Sequence, residues 1–171
     1  VLSLDASNSF GSAQTFGSNW SFGSGVSGLT IGKSSNTANL TLGTTIGITG
    51  PITIYGGAVT LNAGLSTSST SLGDVNITAT GLFGGGGIGL AAGRKLTVTQ
   101  SGTSGYNGLI SGVNATLTKL GTGNLGLTNA NTYSGGTTLT AGTLGAYDSS
   151  AFGSGTVYAA DGTTLMFGRM L

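Results

Sequence analysis

Short apolar–polar–apolar stretches return along this chain at a nearly fixed interval. Ile31, Ile54, Ile77, Val98, Leu117, Leu139 and Val157 are all apolar, and each stands beside Thr or an aromatic residue. The steps between them are 23, 23, 21, 19, 22 and 18 residues. Leu125, Leu144 and Leu165 form a second set with steps of 19 and 21. The connecting loops echo one another too: "TYSGGTT" (132–138) and "AFGSGTV" (151–157) place an aromatic before Gly and Ser, 19 residues apart. Alternation with period two marks the stretches as strands, and the Gly, Asn and Ser clusters between them as turns.

Strands this short cannot bury a face alone, so a constant period predicts that successive coils stack and cover one another. The fold expected is all-β: a parallel β-solenoid of roughly seven coils of about 18–23 residues, with the ten ladder residues above pointing inward. At a strand spacing of about 4.7–4.9 Å the body would be roughly 30–40 Å long. The alternative is a β-sandwich, which also has short strands and turns but does not by itself produce a ladder at one period. Residues 1–171 are expected to form a single domain, with 1–28 as an N-terminal cap region.

The composition fits a stack. Charged residues are 5% of the chain and glycine is 35 of 171. Inter-coil pairing satisfies the backbone without surface charge, Thr suits an exposed strand face and Gly permits tight corners. A net charge of +1 from scattered basic residues is far from the basic stripe that nucleic acid requires. No run approaches 18 apolar residues, so no transmembrane helix is expected. The opening "VLSLDASNSF" lacks a basic n-region and a long apolar stretch, and does not read as a signal peptide.

Residues 106–168 resemble the autotransporter-associated β-strand repeat through "LISG", "LTKLGTGNLGLTNANTYSGGT", "AGTL" and "FGSGTV". The segment "GPITIYGGAVTLNAGL" (50–65) is similar to segments of large haemagglutinin-like bacterial adhesins. The resemblance implies a secreted or surface-displayed bacterial protein, a right-handed parallel β-helix, and a structural module with no catalytic residues to carry over.

Reactive chemistry is scarce. Without His or Cys, Ser–His and Cys–His catalysis and the common zinc sites are excluded. The acids are Asp5, Asp74, Asp148 and Asp161, read as turn residues whose side chains bond local backbone. "GLFGGGG" (81–87) lacks Walker spacing and reads as a tightly bent corner, and "GRK" (93–95) as a solvated turn. Asn19, Asn39, Asn76 and Asn114 open Asn-x-Ser/Thr triplets, which matter only in a glycosylating host. Phe10, Phe16, Trp20 and Phe22 group near the N-terminus as a cover for the first coil, with sugar stacking as the alternative.

The sequence therefore points to a non-enzymatic, extracellular structural or adhesive solenoid with no cofactor. Its expected partners are other copies of itself end to end and a cell surface, glycans included. An end-to-end filament subunit, an ice-binding solenoid and a polysaccharide-degrading β-helix are the competing readings.

Overall fold

The computed structural model describes residues 2–4, 10–17, 22 and 25–168; Asp5, Asn19 and Trp20 lie outside that set. Among the described residues the chain forms twenty short strands and no helix. The first coil contributes β1 (Leu2–Leu4) and β2 (Gln14–Phe16). The second holds β3 (Leu29–Ile31), β4 (Leu40–Leu42) and β5 (Ile46–Ile48). The third holds β6 (Ile52–Tyr55), β7 (Ala58–Leu61) and β8 (Leu65–Thr67). The fourth holds β9 (Val75–Ala79), β10 (Gly81–Phe83) and β11 (Ile88–Gly89). The fifth holds β12 (Lys95–Gln100), β13 (Thr103–Tyr106) and β14 (Ile110–Ser111). The last three coils have two strands each: β15 (Thr116–Leu120) and β16 (Asn124–Leu127), β17 (Gly136–Leu139) and β18 (Thr143–Ala146), β19 (Val157–Ala159) and β20 (Thr164–Phe167).

All strand pairings are parallel and join equivalent strands of adjacent coils. One side is an eight-stranded sheet, β1-β3-β6-β9-β12-β15-β17-β19, whose eight rungs bound seven turns of chain. The second side runs β2-β4-β7-β10 and then β13-β16-β18-β20, joined by a bridge between Gly84 and Tyr106. The third side is β5-β8-β11-β14. The chain is thus a parallel β-solenoid, as its period predicts.

Alternation does the sorting. In β12, Leu96, Val98 and Gln100 are buried, while Lys95, Thr97 and Thr99 face outward. Each inward side chain is roofed by its counterpart one coil away, so the core is a set of apolar columns parallel to the stack. Corners need glycine where the chain turns sharply against the coil before. Gly84 has φ +100°, and a Cβ there would run into the carbonyl oxygen of Leu61.

The eight-stranded side has parallel inward columns, and the structure divides the sequence-derived ladder between two of them. Ile31, Ile54, Ile77 and Val98 stand in register, but the residue paired with Val98 is Lys119. Leu117 pairs with Leu96 in the neighbouring column; Val157 follows there through Thr137 but, in the last rung, is 37% exposed and not part of the buried core. Leu139 pairs with Lys119, back in the first column. Inward positions within a strand lie two residues apart, so a count of 19 or 22 residues does not reveal which column a residue joins. On the second side Leu125, Leu144 and Leu165 pair directly with one another. Phe10 and Phe16 meet edge to face with ring centroids 6.3 Å apart, and Phe10 and Phe22 pack against the core.

Candidate functional site

The polar groups that the stack buries come first, because a buried polar side chain is costly unless it is bonded. Lys119 is fully buried in a column otherwise made of Leu, Ile, Val and Ala. Its Nζ donates to the carbonyls of Leu120 and Gly121, each at 2.8 Å, and of Ala141 at 3.5 Å. Ala141 belongs to the turn of the next coil, so one ammonium ties two corners together. Among the described residues no carboxylate forms an ion pair with it, and burial lowers its pKa to about 8. Strand parity in "TLTKL" does place Lys119 inward with Leu117, although composition alone suggests a solvated lysine.

Other buried polar groups bond to one another and to the backbone of their own or neighbouring coils. The sixth coil has no third strand. There Asn131 Oδ1 accepts from the Ile110 amide at 2.8 Å, and Asn131 Nδ2 donates to the Ala151 carbonyl at 2.6 Å. One side chain thus bridges three successive coils. Gln100 Nε2 donates to the Gly102 and Asn124 carbonyls, and its Oε1 accepts from the Ser104 hydroxyl. The Tyr106 hydroxyl donates to the Gly86 carbonyl, and burial pushes the Tyr106 phenol well above its ordinary range. Burial also pushes the Tyr133 phenol up to about 12, with its 2.5 Å bond to Thr137 Oγ1 acting in the opposite direction. These contacts hold coils in place, and their donors and acceptors are already engaged.

The described acids sit at turns. Asp74 Oδ1 accepts from the Lys95 amide at 3.0 Å and lies 3.8 Å from Arg94 Nη1. Arg94 Nη1 also donates to the Ser71 carbonyl at 2.9 Å. Asp148 Oδ1 accepts from the Ser150 amide at 2.7 Å. Asp161 follows β19 in the turn toward β20. "GLFGGGG" supplies β10 and the corner that precedes β11. Of the Asn-x-Ser/Thr positions, Asn39 Oδ1 accepts from the Ala58 amide, Asn76 faces outward in β9, and Asn114 has φ 53°. Among the described residues no three of His, Cys, Asp and Glu come together.

What remains on the outside is a repeated surface. Thr30, Thr53, Asn76, Thr97, Thr118 and Thr138 stand in one outward column over six successive coils. Beside it, Tyr55, Thr78, Thr99 and Leu120 stand in a second. On the second side Thr103, Asn124, Thr143 and Thr164 form a further column, next to Gly105, Gly126, Gly145 and Met166.

Coils roofed by coils, a bonded polar interior and a hydroxyl- and amide-rich exterior define a parallel β-solenoid of the kind that presents a surface. Residues 117–146 match the family model described as the passenger-associated-transport-repeat, a repeat of autotransporter passengers. The matched segment begins in β15 and ends with β18, so it covers the sixth and seventh coils, including Lys119 and Asn131. No curated protein and no solved structure matches the chain significantly.

Proposed function

We propose that the protein is a non-enzymatic structural and adhesive module of a secreted or surface-displayed bacterial protein. The observation that carries this is the uninterrupted eight-rung parallel sheet that contains the passenger-type repeat. Each coil is held by the next, so the stack resists bending and displays the same residue types at regular intervals. We take residues 1–171 as one domain, with Phe10, Phe16 and Phe22 in its N-terminal cap and 106–168 as its autotransporter-type part. The mechanism is mechanical: a stiff body carries a neutral, hydroxyl-rich face outward. Labelling intact cells of the producing bacterium with antibodies to the chain tests the location. Signal on intact cells or in the medium supports it, and signal confined to lysed cells contradicts it.

A second reading is self-association: parallel pairing from coil to coil is open-ended, so head-to-tail docking of copies would extend the stack. Sedimentation of the 171-residue chain at tens of micromolar tests it, with a monomer as the contradicting result. The threonine column supports the ice-binding reading, which thermal hysteresis tests. The polysaccharide-degrading reading requires two facing carboxylates, whereas Asp74 and Asp148 are bonded to backbone amides at separate turns.

A further inference from the structure

On the outer face of β13, β16 and β18 the middle outward column is glycine for three coils running: Gly105, Gly126 and Gly145. The result is an open channel of about 470 Å³. One wall is Thr103, Asn124 and Thr143; Thr128 and Tyr147 stand on the other; Met166 closes one end. No charged side chain lines it.

Tyr147 is the distinctive part. It is 46% exposed, and two edges of its ring lie close against glycine backbone. A Cβ at Gly126 or Gly145 would come within 2.8 or 2.9 Å of the Tyr147 ring carbon Cε2. A Cβ at Gly168 would strike the opposite edge of the ring. The glycines therefore let the aromatic lie back over the sheet. At Gly105, one coil further along, a Cβ would meet nothing within 4 Å, so the floor beside the ring is open. An aromatic held in place before a ligand arrives loses little entropy on binding.

We infer that this channel binds a neutral pyranose unit of a glycan, with Tyr147 as the stacking platform and Thr103, Asn124 and Thr143 as hydroxyl and amide partners. A pyranose ring has an apolar C–H face, which suits the negative face of an aromatic, and a rim of hydroxyls that both donate and accept. The channel offers the same two chemistries side by side. Its neutrality disfavours acidic sugars and phosphates, which want cationic partners. Its volume falls in the ordinary range for small-molecule sites, about 300–1,000 Å³. The inference rests on the adhesive reading above and gives it a ligand class.

The test is an amide chemical-shift titration of the 171-residue chain with neutral hexasaccharides of glucose, mannose, galactose and N-acetylglucosamine. At least one should shift the amides of 103–106, 124–128 and 143–147 saturably. Tyr147→Ala should weaken that binding at least about tenfold. Gly105→Val should do the same by filling the open floor, and because its Cβ enters empty space it should leave the melting temperature unchanged. The site is overturned if no hexasaccharide shifts these amides, or if both variants bind as the wild type does. Saturable shifts with an apolar peptide but no saccharide, or shifts that grow with protein concentration alone, overturn the glycan assignment in favour of a peptide or a second copy. Cell adhesion separates the two levels of the proposal. Adhesion retained by both variants overturns the channel alone, whereas a wild-type chain that never adheres overturns the adhesive reading.

Discussion

Lys119 makes stability depend on pH in a direction opposite to that of a stabilising surface lysine. Its pKa falls from 10.5 to about 8 on folding because burial penalises the ammonium. Between those values the unfolded chain binds a proton that the folded chain does not, so stability rises with pH across that window and the cost of the buried charge is fully present below pH 8. At 1.36 kcal/mol per unit the whole cost is about 3 kcal/mol, of which about 2 kcal/mol is relieved between pH 8 and pH 9.5. Stopping at 9.5 matters, because the buried phenols of Tyr106 and Tyr133 have raised pKa values and so lower stability as unfolded tyrosine begins to ionise near pH 10. Lys119→Met keeps an unbranched side chain one atom shorter and removes the titration. It also strips a donor from the carbonyls of Leu120, Gly121 and Ala141, and each such loss costs about 1 kcal/mol. The gain and the loss are of like size at pH 7, so the discriminating readout is the slope. Urea unfolding followed by circular dichroism at pH 8 and 9.5 should show a rising midpoint for the wild type and a markedly smaller rise for Lys119→Met. Equal rises, or a wild type that is flat or loses stability over this interval, would refute the reasoning.

Other substitutions probe other parts of the stack. Leu139→Asp places a charge at a fully buried column position and should cost about 4 kcal/mol or more, seen as loss of the cooperative melt. Asp148→Ala removes one exposed turn bond to Ser150 and should change stability by less than about 1 kcal/mol; similar melting curves for these two variants would contradict the assignment. Asn131→Ala leaves the Ile110 amide and the Ala151 carbonyl without their partner, for about 2–4 kcal/mol, with faster hydrogen exchange at Ile110 as the local signature. Gly84→Ala sets a Cβ against Leu61 at a positive φ and should lower the melting temperature, corresponding to more than about 1 kcal/mol.

Much of this fold is legible in the sequence because a solenoid repeats its physics. Alternation in "KLTVTQ" marks which side chains enter the core, and the near-constant step shows that one coil roofs the next. The register is harder to read. The outward column Thr30, Thr53, Asn76, Thr97, Thr118, Thr138 looks irregular as a count, yet it is in register because turns of different length absorb the difference. The same elasticity moves Leu117 out of the Val98 column and puts Lys119 there. A count of residues between strands cannot see this, since both positions face inward. Asn131 and Gln100 carry no sequence mark of their roles, because their bonds run to backbone of neighbouring coils. The channel beside Tyr147 is likewise invisible until Gly105, Gly126 and Gly145 are aligned, after which three scattered glycines become a floor.

The central claim is that parallel coils stack one strand spacing at a time through the whole body. The chain has no cysteine, so spin labels can be placed at chosen rungs only. Thr30 and Thr138 are separated by five pairing steps, and Thr30 and Tyr158 by six. At about 4.7–4.9 Å per step the backbone separations are roughly 24 Å and 29 Å. Pulsed dipolar measurement on the two double-cysteine variants should give narrow distributions whose maxima differ by about 5 Å, one rung. Equal distances for the two pairs, or a shorter one for Thr30 and Tyr158, would contradict the stacked-coil account.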